Sequence, residues 1–310
     1  MRDTCRKVAV LAAMNGLALF TANAASPFSG RWDLTVVTSA GTYPSWLEIA
    51  WLEIAWPEIA GEAESPAVRI VGRTGSVHLV RAAKVEGKKL TFEDGPAQWK
   101  LTIQDHRLTG KVSGGLVSGV PAPRLVHKAV GAWTNTQALF NGHDLAGWEP
   151  DNPAANHWMA ENGELENLAA GANIRTTRKF GDFKLHIEYN CPPGGNSGVY
   201  LRGRYEVQVE YEPADKNDAF HSMGSIYGFI RPATAVEPRP GRWESYDVTL
   251  VGRKVTVIRD GILIIDKIEI PGITGGALDS HESEPGPIYL QGDHTGGLKY
   301  RNITISVPQG

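Results

Sequence analysis

The sequence predicts an all-β protein: a C-terminal two-sheet jelly-roll β-sandwich preceded by a smaller antiparallel β domain. Its 310 residues include 35 Gly and 19 Pro, short Val, Ile, Tyr and Trp runs lie between them, and scarcely any stretch repeats apolar residues at helical spacing. Turn chemistry punctuates the runs, as at Arg259-Asp260-Gly261-Ile262, where Asp-Gly tolerates the positive φ of a type I′ hairpin. In the C-terminal part, about ten strands in roughly 175 residues require two packed sheets.

The N-terminus reads as a secretory signal peptide over residues 1–24. Arg2, Arg6 and Lys7 precede an apolar run from Val8 to Phe20, and Ala22-Asn23-Ala24 offers small residues at a cleavage site. The run is short for a bilayer span, and no Cys follows it to carry a lipid anchor. A periplasmic or secreted protein without a membrane anchor is therefore expected. Cleavage would remove Cys5 and leave Cys191 without a partner for an intrachain disulfide. The 31 basic and 34 acidic side chains give a formal charge of −3 with no basic block, which argues against nucleic acid or an anionic membrane as partner.

Residues 27–127 read as the small antiparallel β domain. Strands are expected at Gly30–Val37, Val68–Val71, Ser76–Val80, Lys89–Phe92, Gln98–Ile103 and Arg107–Val112, with hairpins at Gly87-Lys88 and Asp105-His106. No titratable residues converge here, so a structural or accessory role is expected. A pentapeptide recurs as Trp46–Ala50, Trp51–Ala55 and Trp56–Ala60. A period of five fits neither helix nor strand, and three units are too short for a solenoid. The repeat reads as a tandem duplication lengthening a hairpin connection, with Pro57 keeping the last copy out of a central strand; the alternative is an exposed association patch.

Residues 134–307 form the second domain. Its centre is three successive strands, Phe183–Asn190, Val199–Arg202 and Tyr205–Tyr211, separated by Pro192-Pro193-Gly194-Gly195-Asn196 and by Gly203. Strand alternation turns Val199, Leu201, Val207 and Val209 toward a core and Tyr200, Arg202, Glu206, Gln208 and Glu210 to the other face. An aromatic ring, a guanidinium, two carboxylates and an amide suit a ligand rich in hydroxyls, a carbohydrate. An ordinary solvated face is the plainer alternative.

The segments LFNGHDLAGW, GDFKLHIEY-x-CPPGGNSGVYLRGRYEVQV, PGRWESYDVTLVGRKVTVIRDG and PGPIYLQGDHTGGLKYRNITI resemble, in order and spacing, the 3-keto-disaccharide hydrolase domain family. That resemblance implies a concanavalin-like jelly roll acting on glycosides oxidised to a ketone at C3. Such a ketone acidifies the hydrogen at C2 and places the aglycone at C1 β to the carbanion. Proton abstraction, enolate formation, expulsion of the C1 substituent and addition of water then give overall hydrolysis.

This chemistry needs a base, a partner for the enolate oxygen and an acid for the leaving oxygen. Glu206 and Glu210 are the candidate base and acid in either order, and Arg202 suits the enolate or a hydroxyl. Asn196, Gln208 and Gln291 are candidate hydroxyl binders, and Tyr200, Trp243 and Tyr289 candidate stacking platforms. Asn196 also suits a turn and Trp243 a core. His221 and Tyr227 lie in the loop 218–228, which could cover the site. His294 is a further candidate acid or base, and Asp293 with His294 could hold a divalent cation given a third ligand; no cofactor is otherwise required. Family members commonly continue the Glu-Val-Gln strand into Asp, whereas this chain has Glu210-Tyr211-Glu212, so either Glu210 or Glu212 replaces that Asp or the activity has drifted.

Two rivals remain open at this stage. A retaining glycosidase would need its carboxyls about 5–5.5 Å apart, whereas Cβ atoms four residues apart on a strand are roughly 13 Å apart. A non-catalytic carbohydrate-binding module would use the same fold with less need of Arg202 and paired carboxylates.

Overall fold

A computed structural model describes residues 26–50, 66–125, 130–211 and 218–309. The signal segment, the second and third copies of the pentapeptide, part of the expected linker and Glu212 lie outside the described residues. Among the described residues, no helix is long and apolar enough to cross a membrane.

The first nine strands are β1 (Gly30–Thr38), β2 (Gly41–Ala50), β3 (Ala67–Val71), β4 (His78–Leu79), β5 (Arg81–Glu86), β6 (Lys89–Asp94), β7 (Ala97–Gln104), β8 (Arg107–Val112) and β9 (Gly115–Pro121). They form one antiparallel sheet in the order β4-β3-β2-β1-β9-β8-β7-β6-β5. Its two edge strands, β4 and β5, are separated only by Val80, so the sheet must roll to bring its edges together. Leu34, Val36, Leu47, Ile70, Leu90, Leu101 and Leu108 fill the interior. Asp105 and His106 adopt φ of 48° and 56°, the left-handed pair that a two-residue hairpin requires.

The first pentapeptide copy is not a loop. Trp46–Ala50 is the second half of β2, paired on one side with β1 and on the other with β3. The alternating apolar residues serve a two-sided sheet. Leu47 and Ile49 enter the interior of the rolled sheet, whereas Trp46 points outward, fully buried among the core residues of the second unit. Its ring meets Phe229 edge-on at 5.3 Å.

The second unit comprises β10 (Gln137–Ala138), β11 (Trp148–Pro150), β12 (Trp158–Glu161), β13 (Glu164–Asn167), β14 (Ile174–Thr176), β15 (Phe183–Asn190), β16 (Asn196–Leu201), β17 (Tyr205–Glu210), β18 (Trp243–Val251), β19 (Lys254–Arg259), β20 (Ile262–Glu269), β21 (Tyr289–Leu290) and β22 (Leu298–Ser306). An eight-stranded sheet runs β12-β13-β22-β15-β18-β19-β20, with β10 paired to β22; a five-stranded sheet runs β11-β14-β21-β16-β17. Their inner faces share one core, including Phe183, Ile187, Val199, Val207, Val209, Val248, Leu290 and Tyr300. The molecule is all-β, and this second unit is a sandwich. The Pro192–Gly195 turn carries the chain from one sheet to the other, so β15 and β16 are neighbours in sequence and not in a sheet.

Candidate active site

The site is built on the outward face of β16 and β17. Their register pairs Asn196 with Glu210, Gly198 with Gln208 and Tyr200 with Glu206, so period-2 alternation puts all six on one face, with Val199, Val207 and Val209 beneath in the core. The free edge of β17 is covered by the chain from Gly224 to Tyr227: Gln208 N–H donates to Ser225 O at 3.0 Å, Gly224 N–H to Gln208 O at 2.9 Å and Tyr227 N–H to Glu206 O at 3.1 Å. These bonds satisfy an otherwise open edge and bring Tyr227 and His221 over the face.

The result is a cavity of about 420 Å³ lined by Thr74, Gly75, Asn196, Tyr200, Glu206, Gln208, Glu210, His221, Tyr227, Gly275, Gly276, Gln291, Asp293 and His294. Of the residues predicted from sequence, Glu206, Glu210, His294, Tyr200, Gln208, Asn196, Gln291, Tyr227, His221 and Asp293 converge here.

Three predicted site residues stand elsewhere. β16 ends at Leu201, and Arg202 takes a left-handed φ of 54°, which breaks the alternation on which its placement rested. Its buried guanidinium reaches Gly252 O and lies over the Tyr205 ring, outside the pocket. Trp243 belongs to β18 in the other sheet, with the Arg301 guanidinium 4.0 Å from its ring centre. Tyr289 sits beside Tyr200, edge to face at 5.1 Å, with its hydroxyl 3.4 Å from Asp151; it buttresses Tyr200 and does not line the cavity.

Glu206 is the electrostatic centre. Its carboxyl is out of water, and burial, reinforced by the negative charges of Glu210 and Asp293, pushes its pKa up to about 8 in spite of the Tyr200 hydroxyl beside it. Tyr200 Oη lies 2.9 Å from both Glu206 Oε2 and the Gly275 carbonyl oxygen. One hydroxyl proton cannot serve two acceptors, so a neutral Glu206 completes the arrangement by donating to Tyr200 while Tyr200 donates to Gly275. Glycine at 198 makes the room: a Cβ there would fall 2.1 Å from Glu206 Oε1.

The Gln208 side-chain amide donates to Glu210, leaving Gln208 Oε1 and Gln291 Oε1 without hydrogen-bond partners among the described residues. Unmet acceptors in a pocket wall favour a ligand that brings hydroxyl donors. At the other end, His294 Nδ1 lies 2.7 Å from Asp293 Oδ1, and this contact holds the Asp293 carboxyl below its usual range. Asp293 and His294 supply two candidate metal donors; among the described residues, no three His, Cys, Asp or Glu side chains gather to hold an ion.

Thr74, Gly75, Gly275 and Gly276 were not read from the sequence as site residues. The first pair comes from the rolled sheet, so that unit reaches the pocket instead of standing apart. The only local signal was the Gly275-Gly276 doublet, which packs where a Cβ would meet Gly75 O at 2.1 Å and Tyr200 Oη at 2.5 Å.

Among solved structures, the chain is similar to a candidate glycosyl hydrolase of Parabacteroides distasonis ATCC 8503, with 31% identity over 56% of this chain and 83% of that one at a TM-score of 0.47. A second such protein from the same organism shows 22% identity over 56% of this chain and all of that one, at a TM-score of 0.44. A laminarinase of Flavobacterium sp. UMI-01 shows 12% identity over 57% of this chain at a TM-score of 0.36. No curated protein matches the chain. Residues 135–306, which hold the whole sandwich and all but two of the pocket-lining residues, match a known sequence family throughout, and the chain belongs to the 3-keto-alpha-glucoside-1,2-lyase-like domain family.

Proposed function

We propose that the pocket cleaves glycosides carrying a ketone at C3, by elimination across C1 and C2. The observation that carries this reading is the pair Glu206 and Glu210 on one strand face, with Gln208 between them and burial keeping Glu206 protonated to about pH 8. A carboxyl that keeps its proton to about pH 8 can donate it near neutral pH and cannot serve there as the base. Of the two orders open at the sequence level, this favours Glu210 as base and Glu206 as acid.

Glu210 takes the C2 proton; the electron pair from that C–H bond forms the C1=C2 double bond through the enolate, the C1–O bond breaks with its electrons, and Glu206 returns a proton to the departing oxygen. His294, seated on Asp293, is the ring closest in chemistry to a partner for the enolate oxygen now that Arg202 lies outside the pocket. Water adding across C1=C2 completes a net hydrolysis. The unmet acceptors of Gln208 and Gln291 receive sugar hydroxyls.

The test incubates the protein with disaccharides and aryl glucosides, each with and without prior oxidation at C3. Release from the oxidised substrates alone, abolished in Glu210→Gln, is the expected result. Release from unoxidised sugars would replace the proposal with a conventional glycosidase, and sugar binding without release would replace it with a binding module.

A further inference from the structure

We infer that the rolled N-terminal sheet is a substrate subsite: its loop Gly72–Ser76 forms an end wall of the cleft, so the pocket receives an oxidised sugar carrying a short aglycone and not one in the interior of a polysaccharide. This rests on the function proposed above.

The loop is built into the site and not merely near it. Gly276 N–H donates to Arg73 O at 3.1 Å. A Cβ on Gly275 would lie 2.1 Å from Gly75 O, and one on Gly228 would lie 2.6 Å from Ser76 Cβ, so both contacts are backbone-close and require glycine. Gly275 is also the residue whose carbonyl holds Tyr200, and Tyr200 is the partner of Glu206. The wall therefore stands at the Tyr200–Glu206 end of the strand face. It is fixed in place by Trp46 and Val71, which are buried in the core of the sandwich.

The opposite end is Asn196, paired with Glu210; the chain from Gln291 to Thr295 runs beside it, tied by Gln291 N–H to Gly198 O and Asn196 N–H to Thr295 Oγ1, and carries Asp293 and His294. These last two side chains are about half exposed, 47% and 50%. One end is closed by a second folded unit and the other opens to solvent, so a polymer cannot run through. Glu206, the proton donor for the departing oxygen, stands at the wall end and Glu210, the base at C2, at the other, so the aglycone lies toward Thr74 and Gly75 and the keto sugar toward Asn196 and His294.

The experiment compares kcat and KM for the wild type and Thr74→Trp on 3-keto glycosides of one sugar with a methyl, a glucosyl and an oligosaccharide aglycone, together with an oligosaccharide oxidised only at an internal residue. Thermal melting confirms folding. The expected result is no cleavage of the internally oxidised substrate, and a rise of tenfold or more in KM for Thr74→Trp that grows with aglycone size, with kcat near wild type. A KM rise uniform across aglycones would place the keto sugar against the wall and overturn the orientation. An unchanged KM, or cleavage at the internal residue, would overturn the subsite. If the wild type cleaves no oxidised glycoside, it is the proposed function that fails; calorimetric binding of the methyl and glucosyl glycosides to the same variants then reads the wall directly, with equal affinity in wild type and Thr74→Trp counting against it.

Discussion

Replacing Glu206 by Gln should destroy turnover and stabilise the protein, with the gain confined to pH above the ordinary carboxylate range. The folded protein lifts this carboxyl from an ordinary 4.5 to about 8. It therefore keeps a proton that the unfolded chain releases above about pH 4.5, so wild-type stability falls as pH rises from there and levels off above about 8. At about 1.4 kcal/mol per tenfold, the ceiling on that loss is about 5 kcal/mol, part of which relaxation around the charged form takes up. Gln is neutral at every pH, and its amide can donate to Tyr200 Oη as the protonated carboxyl does. The expected gain is about 2–4 kcal/mol at pH 9, roughly 5–15 °C in melting temperature, and close to zero at pH 4. Paired melts of wild type and variant at both pH values measure it. A variant no more stable than wild type at pH 9, or stabilised equally at both, would refute a carboxyl held neutral by burial. Turnover of 3-keto substrates should fall by about 10²–10⁴-fold, the usual worth of a positioned proton donor.

Four further outcomes are expected. The wild-type pH–rate profile should lose activity as pH rises through about 8, where Glu206 gives up the proton that catalysis uses; a flat profile to pH 9.5 would remove Glu206 as the acid. Gly198→Ala drives a Cβ to within 2.1 Å of Glu206 Oε1 and should cut turnover more than tenfold at a stability cost of about 1–3 kcal/mol, read by kinetics and denaturant titration. Trp46→Ala empties a fully buried site between the two units and should cost about 3–5 kcal/mol, visible as a lowered melting temperature of the sandwich although the residue belongs to the other sheet. Asp33, in β1 at the same interface, is pushed up to about 9 by burial and by the neighbouring Glu282. Asp33→Asn should therefore flatten the fall in stability between pH 4 and pH 9, with little effect below pH 4.

The parts of the fold legible in the sequence are those governed by local rules. Alternation places Val207 and Val209 inside and Glu206, Gln208 and Glu210 outside, and the register bears out that division. The Asp260-Gly261 turn has φ of 48° and 77°, as its chemistry demands. Sheet membership was not legible, because no side-chain pattern tells β15 that its hydrogen-bond partners are β18 and β22, far away in sequence, while β16 joins the other sheet. β2 was missed for a related reason. Its Trp46-Leu47-Glu48-Ile49 run reads as a piece of a repeat, and the second apolar face makes sense only once a second unit packs against Trp46.

The same division explains the site. Four floor residues were legible because they lie on one strand pair within eleven positions, where alternation alone brings them together. Arg202 failed at the first residue past that strand, where a positive φ replaces alternation. The end wall was beyond any local rule, since Thr74 and Gly75 reach the cleft through the docking of two independently patterned sheets. Glycine at 228, 275 and 276 permits that approach, and a glycine in a loop announces only that something close is allowed. The floor of such a pocket, which carries the chemistry, is thus encoded in one short stretch, while the wall that selects among substrates is encoded in another unit some 120 residues earlier. Substitutions in the Gly72–Ser76 loop can then retune which glycosides enter without touching Glu206 or Glu210, and a KM change with kcat preserved in Thr74 variants is the kinetic signature of that separation.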